Sequence, residues 1–336
     1  MRTPRLAAIA ALLALGAACA KPAASPGKPG AFKVGLVFDV GGRGDKSFND
    51  SAYRGLERAK KELGVPYDYI EPSESADREN ALRQLAAGGD QLIIGIGFIF
   101  TDDVNRVAAA FPDKHFAGVD YAVTPGKPVP PNVVALKFRE QEGSFLAGVI
   151  AAMTSKSKTV GFIGGMDVPL IHKFEAGYKA GVKWADPKVK VLTAYAGVTP
   201  EAFKDPSKGK ELALAQYDQG ADIIYHASGS TGLGVFEAAR TKHKLAIGVD
   251  SDQYHEAPGF VLTSVTKNVD NAVFQAIKDA QAGRYETGVV EMGLKEKGVD
   301  YVYDEHNKDL IPPAARAKAE EARKLIIEGK IAVPDR

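Results

Sequence analysis

The residues with the clearest chemical potential lie together in one glycine-rich loop near the N-terminus. Within five positions the chain offers a carboxylate at Asp45, a hydroxyl at Ser47, an aromatic ring at Phe48 and an amide at Asn49. A flat, uncharged, polyhydroxylated molecule can use all four groups, by stacking on the ring and by hydrogen bonding. The loop therefore indicates a binding site for such a ligand; the alternative is a surface loop with Phe48 packed into the core.

The same loop also resembles a degraded phosphate-binding loop, because Gly42 and Gly44 precede Lys46 and Ser47. Asp45, however, stands between the last glycine and the lysine. A carboxylate at this point would repel a phosphate held by backbone N–H groups. The loop therefore favours a neutral ligand over an anion.

Signatures of catalysis are weak elsewhere in the chain. No serine lies in a G-x-S-x-G elbow, and the six histidines show no metal-ligand spacing. Residues 229–234 are rich in glycine, but their spacing is G-x-x-G-x-G and not the dinucleotide-binding pattern. Asp250 lies at a strand end about 20 positions on, where that pattern expects an acidic residue, so a weak signal for dinucleotide binding is left. We therefore predict no catalytic residue, metal or cofactor. The balance of 43 basic against 42 acidic residues gives no basic stripe for nucleic acid.

The N-terminus has the pattern of a targeting segment. Arg2 and Arg5 precede an apolar run over residues 6–15, which is too short to span a bilayer, and the run is followed by Cys19, the only cysteine. This pattern resembles a bacterial lipoprotein signal, although Gly16 stands where such signals usually carry leucine. Residues 1–19 are thus predicted to be a lipoprotein signal with lipidation at Cys19, and residues 20–31 a flexible tether. A plain secretory signal is the alternative.

The elements that must position the loop follow a repeated order of strand, polar loop and helix. A buried strand through Val40 precedes the loop, and a helix with its apolar positions starting at Ala52 follows it, with Ser51 or Asp50 as its cap. The alternation runs to the strand that ends at Phe138 and then starts afresh, which predicts two domains. Polar loops at the carboxyl ends of parallel strands then face one another across a cleft.

The predicted fold is therefore α/β, with two doubly wound parallel-sheet lobes joined by a hinge. We assign residues 32–138 and about 267–295 to the N-terminal lobe. The C-terminal lobe takes residues 139–266 and about 296–333, since the early part of the tail is expected to cross back and complete the first lobe.

Five segments together resemble the basic membrane protein family of solute-binding lipoproteins, the nucleoside receptors of ABC importers. The resemblance extends over nearly all of residues 32–267. The segments are D-V-G-G-R-G-D-K-S-F-N at 39–49, G-F-I-G-G-M at 161–166, F-K-D-P-S-K-G-K at 203–210, G-A-D-I-I at 220–224 and G-V-D-S-D-Q at 248–253. The fold implied by the resemblance is that of a type I periplasmic binding protein, similar to sugar-binding receptors.

The resemblance implies a purine stacked between two aromatic rings. Phe48 would cover one face and Phe203 the other, with Phe174 or Tyr225 as substitutes for Phe203. The loop at residues 197–202 is longer than the corresponding loop of the family. This difference bears on the choice of Phe203 as the second stacking ring.

Polar contacts are implied in the same way. Asn49 and Asp120 would read the base edges, Asp250 would accept from two ribose hydroxyls, and Lys267 would donate to a sugar oxygen. The remaining predicted ligand-binding residues are Asp45 and Ser47 in the loop, Phe98 in the aromatic loop after the third strand, and Ser228 and Gly229 on the cleft floor.

The function expected from the resemblance is extracytoplasmic solute capture at the cell envelope. A lipid-anchored monomer would close on a nucleoside, preferably a purine nucleoside, and deliver it to the transmembrane subunits of an ABC permease. The alternatives are a sugar or signal-molecule receptor on the same fold and an extracytoplasmic nucleoside-processing enzyme.

Overall fold

A computed structural model describes residues 32–72 and 77–336. The predicted signal segment, the tether and the lipidation site Cys19 lie outside the described residues. Among the helices that are described, none is long and apolar enough to cross a membrane.

Strands and helices alternate through the described chain. The strands are β1 (Val34–Val37), β2 (Tyr67–Ile70), β3 (Leu92–Ile96), β4 (His115–Val119), β5 (Val133–Phe138), β6 (Thr159–Met166), β7 (Lys190–Gly197), β8 (Ile223–Ala227), β9 (Leu245–Asp250), β10 (Val261–Lys267), β11 (Gly288–Met292) and β12 (Val299–Tyr301). The helices are α1 (Phe48–Leu63), α2 (Arg78–Ala87), α3 (Thr101–Ala110), α4 (Glu140–Thr154), α5 (Pro169–Ala185), α6 (Pro206–Asp218), α7 (Gly232–Lys242), α8 (Val269–Gln281) and α9 (Pro313–Ile327).

The strands form two six-stranded sheets, which confirms the predicted α/β fold with two sheets. The first sheet has the order β11-β5-β4-β3-β1-β2, and all its neighbours are parallel. The second has the order β12-β10-β9-β8-β6-β7 and is parallel except at its edge, where β12 runs antiparallel to β10. The antiparallel edge was not predicted. Strand β12 enters the second sheet directly from the first one, so no crossover helix fixes its direction.

Burial explains why the central strands read as nearly continuous apolar runs. All residues of β1, β3 and β8 are buried, because helices cover both faces of each sheet. The edge strand β2 is instead half exposed. The elements around the first sheet are called the first lobe below, and those around the second sheet the second lobe.

The chain passes between the lobes three times: between β5 and α4, between β10 and α8, and between β11 and β12. Helix α8 packs against α1 of the first lobe, whereas α9 packs against α4 of the second. The passages are hydrogen bonded to one another, since the Arg139 N–H donates to the Met292 carbonyl and the Asn268 N–H donates to the Gly298 carbonyl. The three connections are therefore linked to one another by hydrogen bonds, and together they are called the joint between the lobes below.

Two details near the glycine-rich loop differ from the prediction. Strand β1 ends at Val37 and does not reach Val40. Beyond Phe38, side chains replace the neighbouring strand as partners, since Asn49 Oδ1 accepts from the Asp39 N–H and Asp39 Oδ1 accepts from the Val40 N–H. The ladder stops there, and the chain is free to turn into the loop.

Helix α1 begins at Phe48, one turn earlier than expected, so Ser51 and Asp50 lie inside it and do not cap its start. The cap is the Asp45 carboxylate, which accepts hydrogen bonds from the N–H groups of Ser47, Asn49 and Asp50 at 2.9, 2.8 and 3.1 Å. A carboxylate at this position satisfies free N–H groups and faces the positive end of the helix dipole.

Candidate functional site

One cavity is lined by residues from the carboxyl ends of both sheets. The space between its lining atoms, including open solvent at its mouth, is about 560 Å³. Its lining combines aromatic rings, carboxylates and one lysine, together with small and apolar groups. The lining residues are Asp39, Val40, Asp45, Phe48, Asn49, Phe98, Asp120, Leu170, Ile171, Phe174, Phe203, Ala227, Ser228, Gly229, Val249, Asp250 and Lys267.

The structure gathers ten of the eleven residues predicted to bind ligand around this cavity. They are Asp45, Phe48, Asn49, Phe98, Asp120, Phe203, Ser228, Gly229, Asp250 and Lys267. Ser47 does not line the cavity; its buried hydroxyl donates instead to Asp250 Oδ2 at 2.5 Å. Of the two substitutes for Phe203, Phe174 lines the cavity, whereas Tyr225 is fully buried in the core and pairs with Ser144.

Sequence reasoning missed several lining residues, of which Asp39 is the most polar. It follows β1 just as Asp120 follows β4, so the strand-end rule that selected Asp120 would also have selected it. Leu170 and Ile171, in the first turn of α5, carried no comparable signal because apolar residues in a helix normally indicate packing.

Aromatic rings reach the cavity from both lobes. Phe48 and Phe98 come from the first lobe, and Phe174 and Phe203 from the second. Phe203 ends the short 3₁₀-helix Pro200–Phe203, which packs its ring on Gly165: a Cβ atom there would lie 2.4 Å from the ring. The greater length of residues 197–202 is thus compatible with a position of the Phe203 ring at the cavity.

The two strand-end carboxylates occupy corresponding positions in the two sheets. Asp120 follows β4 and Asp250 ends β9, and both have a left-handed backbone, with φ of +58° and +63°. This conformation is uncommon for residues other than glycine and carries a strain that usually marks a functional constraint. Each aspartate is thereby turned from the end of its sheet toward the space between the lobes.

Lys267 lies almost fully buried at the end of β10, with 2% of its surface exposed. Both carboxylate oxygens of Asp120 lie 2.6 Å from its Nζ, and Oε1 of Glu140 lies 3.1 Å away. Burial opposes the charge, but the surrounding carboxylates, of which Asp120 acts most strongly, raise the pKa of Lys267 above its ordinary value. The ammonium is therefore charged at any physiological pH.

The other acidic side chains of the cavity have perturbed titration. Burial raises the pKa of Asp250 to about 6, although Lys267 and the Ser47 hydroxyl act in the opposite direction. Burial also raises the pKa of Asp39 to about 7, against the effect of its hydrogen bond from the Val40 N–H. Four carboxylates and one ammonium thus line this cavity, which makes it a poor site for an anion.

A rim of hydrogen bonds joins the lobes beside the cavity. The Ser251 hydroxyl donates to the Ser47 carbonyl at 3.1 Å, and Gln253 Nε2 donates to the Lys46 carbonyl at 3.1 Å. Arg54 donates to the Ser251 hydroxyl at 2.9 Å. These bonds join backbone and side chains of the two lobes directly, so they exist only while the lobes are close together.

No group of three or more histidine, cysteine or acidic side chains in residues 32–72 and 77–336 is arranged to hold a metal ion. What the cavity offers is stacking surface, hydrogen-bond acceptors and a buried ammonium donor. Two α/β lobes with such a cavity between their sheet edges define a solute-binding protein of the type I periplasmic class.

Comparisons with known proteins agree with this class. The family model described as Bmp, ABC transporter substrate-binding protein PnrA-like, matches residues 32–336, and the chain belongs to this family. An uncharacterized lipoprotein of Pyrococcus horikoshii is 42% identical over 80% of this chain and 68% of its own length. A protein of Lactococcus lactis named ABC transporter nucleoside-binding protein BmpA is 34% identical over 90% of this chain and 89% of its own.

Among solved structures, an ABC transporter solute-binding protein of Aeropyrum pernix superposes with a TM-score of 0.83 at 31% identity. The match covers 91% of this chain and 94% of that one. The chain is therefore an ABC transporter substrate-binding protein in both sequence and fold.

Proposed function

We propose that this protein captures a nucleoside, preferably a purine nucleoside, in the cavity between its lobes and delivers it to the membrane subunits of an ABC importer. The observation that carries the proposal is the composition of the cavity. Phe48 of the first lobe and Phe203 of the second line one space together with Asp120, Asp250 and Lys267. This set supplies stacking for a base and hydrogen-bonding groups for a ribose.

The division of labour follows from the chemistry of each group. The two rings stack on the base, which contributes about 1–3 kcal/mol per ring. Asp250 accepts from two ribose hydroxyls, and Lys267 donates to a sugar oxygen while Asp120 holds it. Asn49 and Asp120 form hydrogen bonds with the base edges. The Asn49 side-chain amide already accepts from the Asp39 N–H and donates to Asp45, so it binds the base with its remaining oxygen lone pair and N–H proton.

Two further arguments support a nucleoside over a nucleotide or an unrelated solute. A phosphate would meet four carboxylates in the cavity, and like charges brought together in this way cost several kcal/mol. The Lactococcus relative is named for nucleoside binding.

The cellular setting is proposed from the N-terminus and from the relatives. Cys19 carries a lipid that anchors an extracytoplasmic monomer to the membrane, and residues 20–31 tether the folded part to it. The name lipoprotein given to the Pyrococcus relative supports this arrangement. Mass spectrometry of the mature protein tests it, since a lipid-modified N-terminal cysteine at position 19 is expected and an unmodified mature chain would contradict it.

Calorimetry of the chain without residues 1–31 tests the proposed ligand. Adenosine, guanosine or inosine is expected to bind, and adenosine 5′-monophosphate is expected to bind at least about a hundredfold more weakly than adenosine because of the like charge. Absence of heat with all three nucleosides contradicts the proposal. A native mass-spectrometric screen with sugars, and an assay for release of free base, then separate a sugar receptor from an enzyme.

A further inference from the structure

Glu140 is a buried carboxylate that the ligand site itself does not include. It is the first residue of α4, has no exposed surface and does not line the cavity. Its two oxygens contact two different lysines: Oε1 lies 3.1 Å from Lys267 Nζ, and Oε2 lies 3.1 Å from Lys173 Nζ. A fully buried charge is costly unless it is paired, so both ion pairs require an explanation.

Glu140 and Asp120 hold Lys267 from different lobes. Asp120 follows β4 in the first sheet, whereas Glu140 begins α4, which packs against β10, β12 and α5 of the second lobe. Lys267 itself ends β10 in the second sheet. When the lobes separate, Asp120 moves away with the first sheet, while Glu140 keeps its place beside the ammonium.

Lysine chemistry gives this arrangement a consequence for the ligand. An ammonium has three N–H donors. One is directed to Asp120 Oδ2, whereas Glu140 Oε1 lies at ion-pair distance without hydrogen-bond geometry and holds the ammonium by its charge. The position of Nζ is therefore fixed by carboxylates of both lobes. Lys173 braces Glu140 in turn, because its Nζ also donates to the Phe138 carbonyl at 3.0 Å.

We propose that Glu140 is a positioning residue whose charge holds the Lys267 ammonium in place for the ligand, and that it does so in both the open and the closed arrangement of the lobes. The inference rests on the proposed function, in which Lys267 contacts a sugar oxygen. Without Glu140, the ammonium is drawn toward Asp120 alone and moves from its position beside the ligand.

Calorimetry on the purified protein tests the coupling, with the tightest binder among adenosine, guanosine and inosine as the probe. Glu140→Gln is expected to weaken affinity about tenfold to a hundredfold, because the buried Lys267 ammonium loses one of the charges that fix its position. In a Lys267→Met background the same change is expected to cost less than about twofold, because residues that act as one unit are not additive. Loss of equal size in both backgrounds would show a merely structural role and overturn the proposal.

A matched control is available on the same helical turn. Glu142 accepts from the Leu294 N–H at 2.8 Å and lies beside Arg139, so Glu142→Gln removes a carboxylate near the same joint without touching Lys267. Its ligand affinity is expected to equal that of the wild type. A loss as large as that of Glu140→Gln would assign the effect to the joint and overturn the proposal.

A second variant guards against misfolding. Glu140→Gln combined with Lys173→Met removes one buried charge of each sign and keeps Lys267 balanced by Asp120. It is expected to fold, as judged by circular dichroism, and still to lose about tenfold or more in affinity; wild-type affinity would overturn the proposal.

If the wild-type protein binds none of the three nucleosides, the proposed function fails together with this inference. Binding by the wild type with unchanged affinity in Glu140→Gln overturns the inference alone.

Discussion

Phe48 is half-buried, packs against the core and still lines the cavity, so its ring can stabilise both the fold and a bound base. Phe48→Ala is expected to weaken nucleoside binding about tenfold to a hundredfold, which corresponds to the loss of one stacking surface. Isothermal calorimetry measures the affinity and thermal unfolding the stability. The control is Phe111→Ala, a half-buried aromatic outside the cavity lining. If the two variants bind equally well, Phe48 is a packing residue.

Protonation of Asp39 and of Asp250 changes the stability of the ligand-free protein in the same direction. Their pKa values in the folded chain, about 7 and about 6, lie above the ordinary value of 3.8. Between pH 4 and 7 the folded chain therefore binds more protons than the unfolded one, and the ligand-free protein gains stability as the pH falls toward 4, on the order of 3–4 kcal/mol for each group.

Binding is expected to follow the reverse course, because protonation of Asp250 removes an acceptor for ribose hydroxyls. Thermal unfolding and calorimetry between pH 5 and 8 are expected to show rising stability and falling nucleoside affinity toward acid. Asp250→Asn serves as the comparison, since it is expected to bind weakly with much less dependence on pH. Affinity that is constant across this range in the wild type would exclude Asp250 as a ligand acceptor.

The loops and helix starts around the cavity show which features of the site sequence patterns can predict. Strand ends followed by polar residues placed Asp120 and Asp250 correctly beside the cavity, because parallel strands bring their carboxyl ends to one edge. The start of α1 was misplaced since apolar periodicity begins only at Ala52, whereas the first turn is held by Asp45 through backbone N–H groups. Periodicity reports buried faces and does not register such a cap.

Ion pairs between distant segments were beyond sequence reasoning for a different reason. Lys267 and Asp120 are 147 positions apart and belong to different sheets, so only the relative position of the two lobes brings them together. Glu140 carries no signal of its own, because an acidic residue in a first helical turn usually only complements the helix dipole.

The segment after β9 has a separate task at the rim of the cavity. Gln253 is buried and donates from its own lobe to the Lys46 carbonyl of the other, so Gln253→Ala removes a bond that exists only in the closed form. The dissociation rate of the nucleoside is expected to rise about fivefold to tenfold, with little change in the association rate. Stopped-flow fluorescence measures both rates.

Gln216→Ala is the matched control for this element. Gln216 is also buried, but its Nε2 donates to the Phe162 carbonyl within the second lobe. It is expected to lower the free energy of unfolding and to leave the dissociation rate unchanged. An equal increase in dissociation rate for both variants would mean that general loosening of the second lobe, and not the rim, controls release.

At the scale of the whole molecule, the three passages connect the lobes on one side of the closing motion. The rim bonds join the lobes once they have closed. A nucleoside that touches Phe48 on one lobe and Asp250 on the other gains all its contacts only when the lobes are closed, so ligand shifts the population toward that form. The interlobe pairs Lys267–Asp120 and Ser47–Asp250 also favour closure before any ligand arrives.

Small-angle X-ray scattering can separate these two contributions to closure. The radius of gyration of the wild-type protein is expected to fall when nucleoside is added, because the ligand gains its contacts to both lobes only in the closed form. Arg54→Met, which removes the bond from Arg54 to Ser251, is expected to raise the ligand-free radius and to leave the ligand-bound radius unchanged, since ligand contacts then hold the lobes together. Identical scattering with and without ligand in both proteins would show that binding does not require closure, and that the rim serves only to stabilise a permanently closed fold.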